Sequence, residues 1–217
     1  MSAISIIGLG SMARVLGARA LAGGNTVEVV GRDAVKTAEL AAALGDGATA
    51  GTYGAVPAGD IVILAVPYPA VVAVVEQYGQ ALAGKVIVDV CNPFDRDGLT
   101  GLVTPRDSSA AQEIAKAAPA DAPVVKAFNT VFGHVLAALT TEDRPLDVFI
   151  AGDAAEAKSR VSWFIESLDL RPLDTGGLTM AHWLEGAGLM MMRLAVGKAV
   201  EGDFSLAVNT LGDRAEG

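Results

Sequence analysis

A glycine-rich turn near the N-terminus is the first feature whose residue types and spacing indicate chemistry. An apolar run is followed by a Gly-x-Gly-x-x-Ala pattern at positions 8–13. Gly8 permits a tight turn, Gly10 lets the backbone approach a pyrophosphate, and Ala13 lets the next helix pack closely on the strand. Ser11 is equally suited to cap that helix or to bind a phosphate at its positive end. We predict dinucleotide binding rather than a merely structural turn, with contacts from Gly8, Leu9, Gly10, Ser11, Met12 and Ala13.

The end of the second strand-like run indicates which dinucleotide is bound. In NAD-binding folds an acidic residue about 20 residues past the glycines bonds the ribose hydroxyls. Here Gly31 leaves room where such a carboxylate would stand, and Arg32 is suited to bind a 2′-phosphate. Lys36 is a second cation, and Asp33 is better explained as the N-cap of the next helix than as a ribose ligand. The alternative is that both cations are solvated surface charges; we favour NADP(H).

Alternating strand-like and helix-like patterns must position these residues. The strand-like runs are nearly continuous in Val and Ile, which is typical of strands buried on both faces. Their alternation with helical patterns predicts an α/β fold, a doubly wound, mostly parallel Rossmann sheet. The predicted strands are Ser2–Ile7, Thr26–Val30, Asp60–Val66, Lys85–Val90, Pro123–Ala127 and Leu146–Ala151, and the predicted helices are Ser11–Leu21, Ala34–Leu44, Tyr68–Tyr78, Ser108–Ala117 and Ala154–Leu168.

A final apolar helix is predicted at about Leu178–Val200 as a C-terminal extension of this fold. Met190–Met192 are consecutive, so their side chains point around the helix rather than along one face. A helix that is apolar all round must be buried, and a second copy of the chain is its natural cover. Since no repeat or linker is evident, we expect one NADP-binding domain over residues 1–217 that forms a homodimer through this helix.

Composition excludes several other classes of protein. The 217 residues are 52% hydrophobic and carry a net charge of −9, so general binding to nucleic acid is not expected. Cys91 is the only cysteine, which excludes an internal disulfide and a thiolate metal cluster. The apolar run Ile61–Val75 contains two prolines and is too short to span a bilayer, and the N-terminus has no signal-peptide pattern. We expect a cytoplasmic protein without a metal site or membrane partner.

The chain as a whole resembles the NADP oxidoreductases that depend on coenzyme F-420, a deazaflavin. The resemblance is carried by the glycine turn, the Gly31–Arg32 and Lys36 set, Ala65–Pro67, Asp89–Pro93, and residues 170–178 followed by Leu184–Glu185. It implies direct hydride exchange between the deazaflavin and the nicotinamide, which the protein would hold face to face without a required acid or base. The remaining residues implied near the nicotinamide are Ala65, Val66, Pro67, Asn92 and Pro93.

Three more residues are candidates around the acceptor. His134 follows Phe132–Gly133 and either lines the acceptor site or lies on the surface, so no catalytic residue is assigned firmly. Cys91 is explained as well by packing as by chemistry. Asn129 either bonds the nicotinamide carboxamide or caps a helix. Its segment, Lys126–Thr130, resembles the version found in bacterial relatives and in the nucleotide domains of ferric reductases. Archaeal deazaflavin enzymes carry a His-Thr pair at this position instead.

These patterns leave three functions to distinguish. The first is hydride transfer between NADP(H) and the deazaflavin coenzyme F-420, a small-molecule redox co-substrate. The second is NADPH-dependent reduction of another small acceptor, such as a flavin, quinone, imine or carbonyl. The third is NADP(H) sensing without turnover. A carbonyl reductase would require a proton donor near the nicotinamide, and no Tyr–Lys pair with suitable spacing is evident.

Overall fold

A single sheet organises the molecule, whose computed structural model describes residues 1–95, 97, 99–138 and 145–211. Within these residues the strands are β1 (Ala3–Ile7), β2 (Thr26–Val30), β3 (Ala48–Ala50), β4 (Ile61–Leu64), β5 (Val86–Asp89), β6 (Val124–Lys126), β7 (Asp147–Gly152) and β8 (Arg171–Asp174). They lie in the order β3-β2-β1-β4-β5-β6-β7-β8, and all neighbours are parallel except β6 and β7. The predicted mostly parallel α/β sheet is confirmed.

Helices connect most of these strands. They are α1 (Ser11–Ala22), α2 (Ala34–Leu44), α3 (Tyr68–Tyr78), α4 (Ala110–Ala117), α5 (Gly133–Ala137), α6 (Ala155–Ser167) and α7 (Ala181–Val196), with 3-10 turns at Gly79–Leu82 and Leu178–Met180. The five internal helices listed from the sequence are present, and α5 is the helix that the capping alternative for Asn129 implied without giving its bounds. The final helix is shorter than predicted because it starts after a 3-10 turn and ends at Gly197, a residue type that favours helix termination.

Both faces of the sheet are buried, as the continuous Val and Ile runs predict. Successive side chains of β4 point to opposite faces. Ile61 and Ile63 belong to one hydrophobic cluster with α1 and α6, while Val62 and Leu64 belong to a second with α3 and α4. The two clusters anchor the strand ends from which the loops of the candidate site emerge.

The two strands that the sequence did not predict lie at the edges of the sheet. β3 has only three residues and lies between Gly47 and Gly51, so it carries little strand signal. β8 contains Pro172, which is tolerated where a strand has a free edge. Edge strands are short and mixed in composition because only one side of the backbone is paired, and hydrophobic patterning therefore misses them.

Helix α7 packs one face against α4 and β7 within the chain, and the cover expected from a second copy stays a prediction. Leu184, Gly188 and Met191 are buried, whereas Trp183 is 68% and Met190 is 51% exposed. The consecutive methionines do point around the helix, but only Met191 faces the core. No helix in the described ranges is both long enough and apolar enough to cross a membrane.

Candidate dinucleotide-binding site

A cleft of about 430 Å³ opens where the carboxyl ends of β1, β2 and β4 meet. The strand order reverses here, because β2 and β3 lie on one side of β1 and β4 lies on the other. Ligands of open α/β sheets bind at such a point. The cleft is lined by Ile7, Gly8, Leu9, Gly10, Val30, Gly31, Arg32, Asp33, Tyr53, Ala65, Val66, Pro67, Ala70, Ala73, Val74 and Gln77.

Gly8 brings the turn after β1 into direct contact with the end of β4. Its φ is +132°, and a Cβ at this position would lie 2.2 Å from the carbonyl oxygen of Ala65. Its N–H donates to the carbonyl of Val30 at 2.9 Å. Only glycine therefore allows the ends of all three strands to converge, which confirms the tight turn predicted for this position.

Gly10 is the N-cap of α1 and leaves the helix entrance open. A Cβ at Gly10 would have no neighbour within 4 Å, so its backbone is accessible to a ligand. Ser11 is exposed, and no side chain caps this helix. The capping alternative for Ser11 is therefore wrong, because the helix already begins at Ser11. Met12 is partly buried and Ala13 fully buried, and both pack on the core rather than line the cleft.

The space beside Gly31 is occupied by a neighbouring side chain. A Cβ on Gly31 would lie 2.5 Å from Cδ1 of Leu9, within the glycine turn itself. Gly31 was expected to leave room where a carboxylate would stand. The structure corrects this view, because Leu9 fills that room and packs the glycine turn against the end of β2.

The charged residues after β2 have separate partners. Asp33 caps α2, accepting hydrogen bonds from the N–H groups of Val35 at 3.0 Å and Lys36 at 3.1 Å, as predicted. The backbone hydrogen bond from Lys36 is the largest influence that lowers the pKa of the Asp33 carboxyl. The Lys36 ammonium lies 3.7 Å from Asp33 and outside the cleft lining. Arg32 is exposed on the cleft wall, so the cation available to a bound phosphate is Arg32.

Two polar residues of the lining were not predicted. Tyr53 follows the edge strand β3, and its ring packs edge-on against Tyr78 at 5.5 Å between centroids. Gln77 lies on α3, on the same helix face as Ala70, Ala73 and Val74. The i, i+3, i+4, i+7 spacing of that α3 face was the signal available in the sequence. Tyr53 gave no signal because β3 itself was missed.

The residues expected near the nicotinamide form two separate groups. Ala65, Val66 and Pro67 line the cleft as predicted. Asn92, Pro93 and Asn129 do not line it. Nδ2 of Asn92 donates to the carbonyl of Asn129 at 2.8 Å, and Nδ2 of Asn129 donates to Oδ1 of Asn92 at 3.1 Å and to the carbonyl of Leu184 at 2.8 Å.

Helix α7 comes close to this asparagine pair at Gly188. A Cβ there would lie 2.9 Å from Oδ1 of Asn92. Asn129 does not cap α5, whose N-cap is Phe132, so that alternative is wrong. Oδ1 of Asn129 is buried and has no hydrogen-bond partner among the described residues.

A buried ion network that the sequence reasoning missed lies beside the asparagine pair. Lys126 on β6 is fully buried, and its ammonium donates to Asp89 at 2.8 Å, to Glu185 at 2.8 Å and to the carbonyl of Cys91 at 2.6 Å. Burial alone lowers the pKa of Lys126, but the two carboxylates outweigh it and raise this pKa above its usual value. Desolvation raises the pKa of Glu185. The sequence did contain one sign of this network, since Lys126 lies inside a strand that was predicted to be buried on both faces, where a cation needs a partner.

The remaining candidates do not contribute to the cleft. Cys91 is 5% exposed and its thiol donates to the carbonyl of Val66 at 3.1 Å; burial raises the pKa of this thiol well above its usual value, so it is a packed group rather than a nucleophile. His134 is exposed, stacks on Phe132 and lies 3.3 Å from Asp203, so the structure gives it no contact with the cleft lining.

Comparison with known proteins finds a similar family over the part of the chain that forms this cleft. The sequence profile described as "NADP oxidoreductase coenzyme F420-dependent" matches residues 3–93. This span runs from β1 to the turn after β5 and contains the whole cleft lining. The match covers less than half of the chain, so it shows that these residues are similar to that family. The resemblance expected from the glycine turn and the Ala65–Pro67 segment is confirmed.

Three relatives show how far the similarity extends. The metalloreductase STEAP3 of Rattus norvegicus is 32% identical over 87% of this chain and 37% of its own length. The F420-dependent NADP reductase of Methanocaldococcus jannaschii is 30% identical over 64% of this chain and 63% of its own length. A solved structure from Arthrobacter sp. FB24, named as a candidate F420-dependent NADP reductase, has a TM-score of 0.77 at 24% identity and covers 94% of this chain and 99% of its own. The last match shows the shared fold, and the chain spans less than two thirds of the two curated relatives.

The two glycines of the turn should respond differently to substitution. We expect Gly8→Ala to lower the free energy of unfolding by about 2–5 kcal/mol, because it adds both backbone strain and a clash with Ala65. Gly10→Ala should cost less than about 1 kcal/mol, because its Cβ points into open space. Urea unfolding followed by circular dichroism measures both. Equal losses would show that the contact between Gly8 and Ala65 does not constrain the turn.

Proposed function

We propose that this protein is an NADP(H)-dependent oxidoreductase whose dinucleotide occupies the cleft at the β1–β4 switch point. The observation that carries the proposal is the pairing of an open helix N-terminus at Gly10 with Arg32 on the same cleft wall. The N–H groups of α1 suit a pyrophosphate, and the planar guanidinium suits a 2′-phosphate. The Asp33 carboxylate already accepts two N–H groups of α2, which leaves it poorly suited to bind ribose hydroxyls.

The residues of the site orient the reacting groups rather than transfer protons. A bound nicotinamide would supply or accept the hydride. Ala65, Val66 and Pro67 offer an apolar wall that excludes water, and alignment in such a site is the main source of acceleration. Asn129 lies outside the cleft lining, and its buried Oδ1 is proposed to help orient the nicotinamide end of the site because it has no partner among the described residues.

The proposed acceptor is the deazaflavin coenzyme F-420, on the support of the family match. A flavin is the second candidate acceptor, because its ring can exchange a hydride with a nicotinamide held against it. Anaerobic mixing of the pure protein with NADPH and each acceptor in turn, followed by the loss of acceptor absorbance, distinguishes them. Rapid bleaching of the deazaflavin alone supports the first candidate, and bleaching of FAD or FMN alone supports the second. Tight NADPH binding without turnover on any acceptor would favour a sensor.

The cofactor preference should depend on Arg32. We expect Arg32→Ala to weaken NADPH binding by about 1.5–3 kcal/mol and to leave NADH binding nearly unchanged, because a charge-assisted contact to the 2′-phosphate is lost. Lys36→Ala is the matched control and should lose less, since its ammonium faces Asp33 outside the cleft. Titration calorimetry with both nucleotides measures the two losses. An equal effect of Arg32→Ala on NADPH and NADH would contradict the 2′-phosphate assignment.

We also propose that the chain is one domain that forms a homodimer through the outer face of α7. Trp183 and Met190, seven residues apart and therefore on one face of this helix, are both at least half exposed, and large apolar side chains that share an exposed face indicate a contact surface. A second copy of the chain is the proposed cover because identical helices pair readily about a twofold axis.

The dimer should dissociate when this face becomes charged. Light scattering should give twice the 22.1 kDa chain mass for the unaltered protein and close to the single mass for Met190→Lys. Trp163→Glu on α6 is the control, since Trp163 is 67% exposed on a different helix and should leave the dimer intact. A monomer mass for the unaltered protein at micromolar concentration would overturn the proposal.

A further inference from the structure

Lys126 is a fully buried cation, and all of its hydrogen-bonding capacity is used. The three protons of its ammonium are donated to Asp89, Glu185 and the carbonyl of Cys91. The carboxylates are occupied on their other sides as well. Oδ1 of Asp89 accepts from the N–H of Cys91 at 2.8 Å, and the N–H of Ala110, at the start of α4, donates to Oε1 of Glu185 at 2.9 Å and to its Oε2 at 3.2 Å. The network is therefore complete in itself and leaves no site for a ligand.

Stability alone does not account for this network. Replacing a buried ion pair by well-packed apolar residues is often neutral or stabilising, because two charges no longer have to be removed from water. An apolar residue at position 126 would fill the same volume without that cost. What an apolar residue cannot do is hold three separate segments at fixed directions and distances.

The three segments held by Lys126 are those that carry the asparagine pair. Asn92 directly follows Cys91, Asn129 lies three residues after Lys126, and α7 supplies both Glu185 and the carbonyl of Leu184 that Asn129 binds. The network also reaches the cleft, because the thiol of Cys91 donates to the carbonyl of Val66 in the cleft wall.

We infer that Lys126, held between Asp89 and Glu185, is a positioning residue that fixes the nicotinamide end of the site without touching the cofactor. This inference rests on the proposed NADP(H)-dependent function. The network sets the place of Asn92, Asn129 and Val66 and therefore the orientation of the nicotinamide ring. A misplacement of about 1 Å in such a site can lower the rate 100-fold.

The affinity for the dinucleotide should depend little on this network. The groups proposed to bind the pyrophosphate and the 2′-phosphate are at Gly10 and Arg32, near β1 and β2. The network joins β5, β6, α4 and α7 on the other side of β4. Loss of the network should therefore disturb the orientation of the nicotinamide ring and leave the affinity for NADPH nearly unchanged. General damage to the fold would disturb both.

The test uses the full chain, two substituted forms and one control. Lys126→Met removes the cation, and the combined form Asp89→Asn, Lys126→Met, Glu185→Gln removes the unpaired charges that could prevent folding of the single variant. Lys158→Met is the control, because it breaks a 2.8 Å ion pair with Asp174 near β8, outside the cleft lining. Calorimetry gives the NADPH dissociation constant, and the emission of bound NADPH reports immobilisation of its nicotinamide ring without any acceptor.

The expected result is an NADPH dissociation constant within about threefold of the unaltered protein in the folded variants, with emission close to that of free NADPH. The rate of single-turnover hydride transfer should then fall by about 10–100-fold. The control Lys158→Met should change neither the emission of bound NADPH nor this rate. Unchanged emission and rate in a folded variant would overturn the inference, as would an affinity loss as large as the rate loss. Failure of the unaltered protein to bind NADPH would instead overturn the proposed function.

Discussion

The cleft depends on the contact between the turn after β1 and the end of β4. Gly8 lies against the carbonyl of Ala65 at a distance that no side chain allows. Its backbone N–H is bound to Val30 at the end of β2, so one residue joins the ends of three strands. The contact decides how far the strand ends can separate at the switch point. The opening of α1 and the apolar Ala65–Pro67 wall acquire their relative positions from it.

A second local contact sets the position of the glycine turn against β2. The side chain of Leu9, in the glycine turn, covers Gly31, which follows β2. A side chain at position 31 would clash with Leu9. The result is a smooth apolar floor with Arg32 at its edge. The proposed binding of an anionic cofactor is compatible with the net charge of −9, because the N–H groups of α1 and one guanidinium provide a favourable local potential.

The groups at the carboxyl ends of the strands change from mainly apolar to polar beyond β4. Backbone and apolar groups dominate the cleft at β1, β2 and β4, whereas β5, β6 and α7 meet through the Lys126 network and the asparagine pair. Helix α7 joins these strand ends because Gly188 lets it approach Asn92 and Asn129 closely. The first region suits phosphate and ribose recognition, and the second suits orientation of a ring.

The sequence by itself determined the features that depend on neighbouring residues. The glycine turn, the Asp33 cap and all the described strands except β3 and β8 could be predicted, because each depends on residues a few positions apart or on a continuous apolar run. Tyr53, the packing of Leu9 on Gly31, the exposed position of His134 and the network of Asp89, Lys126 and Glu185 were decided only by the tertiary structure. The members of that network lie 37 and 59 positions apart along the chain. Pairing of charges over such separations depends on strand order and on the docking of α7, and neither is encoded in local spacing.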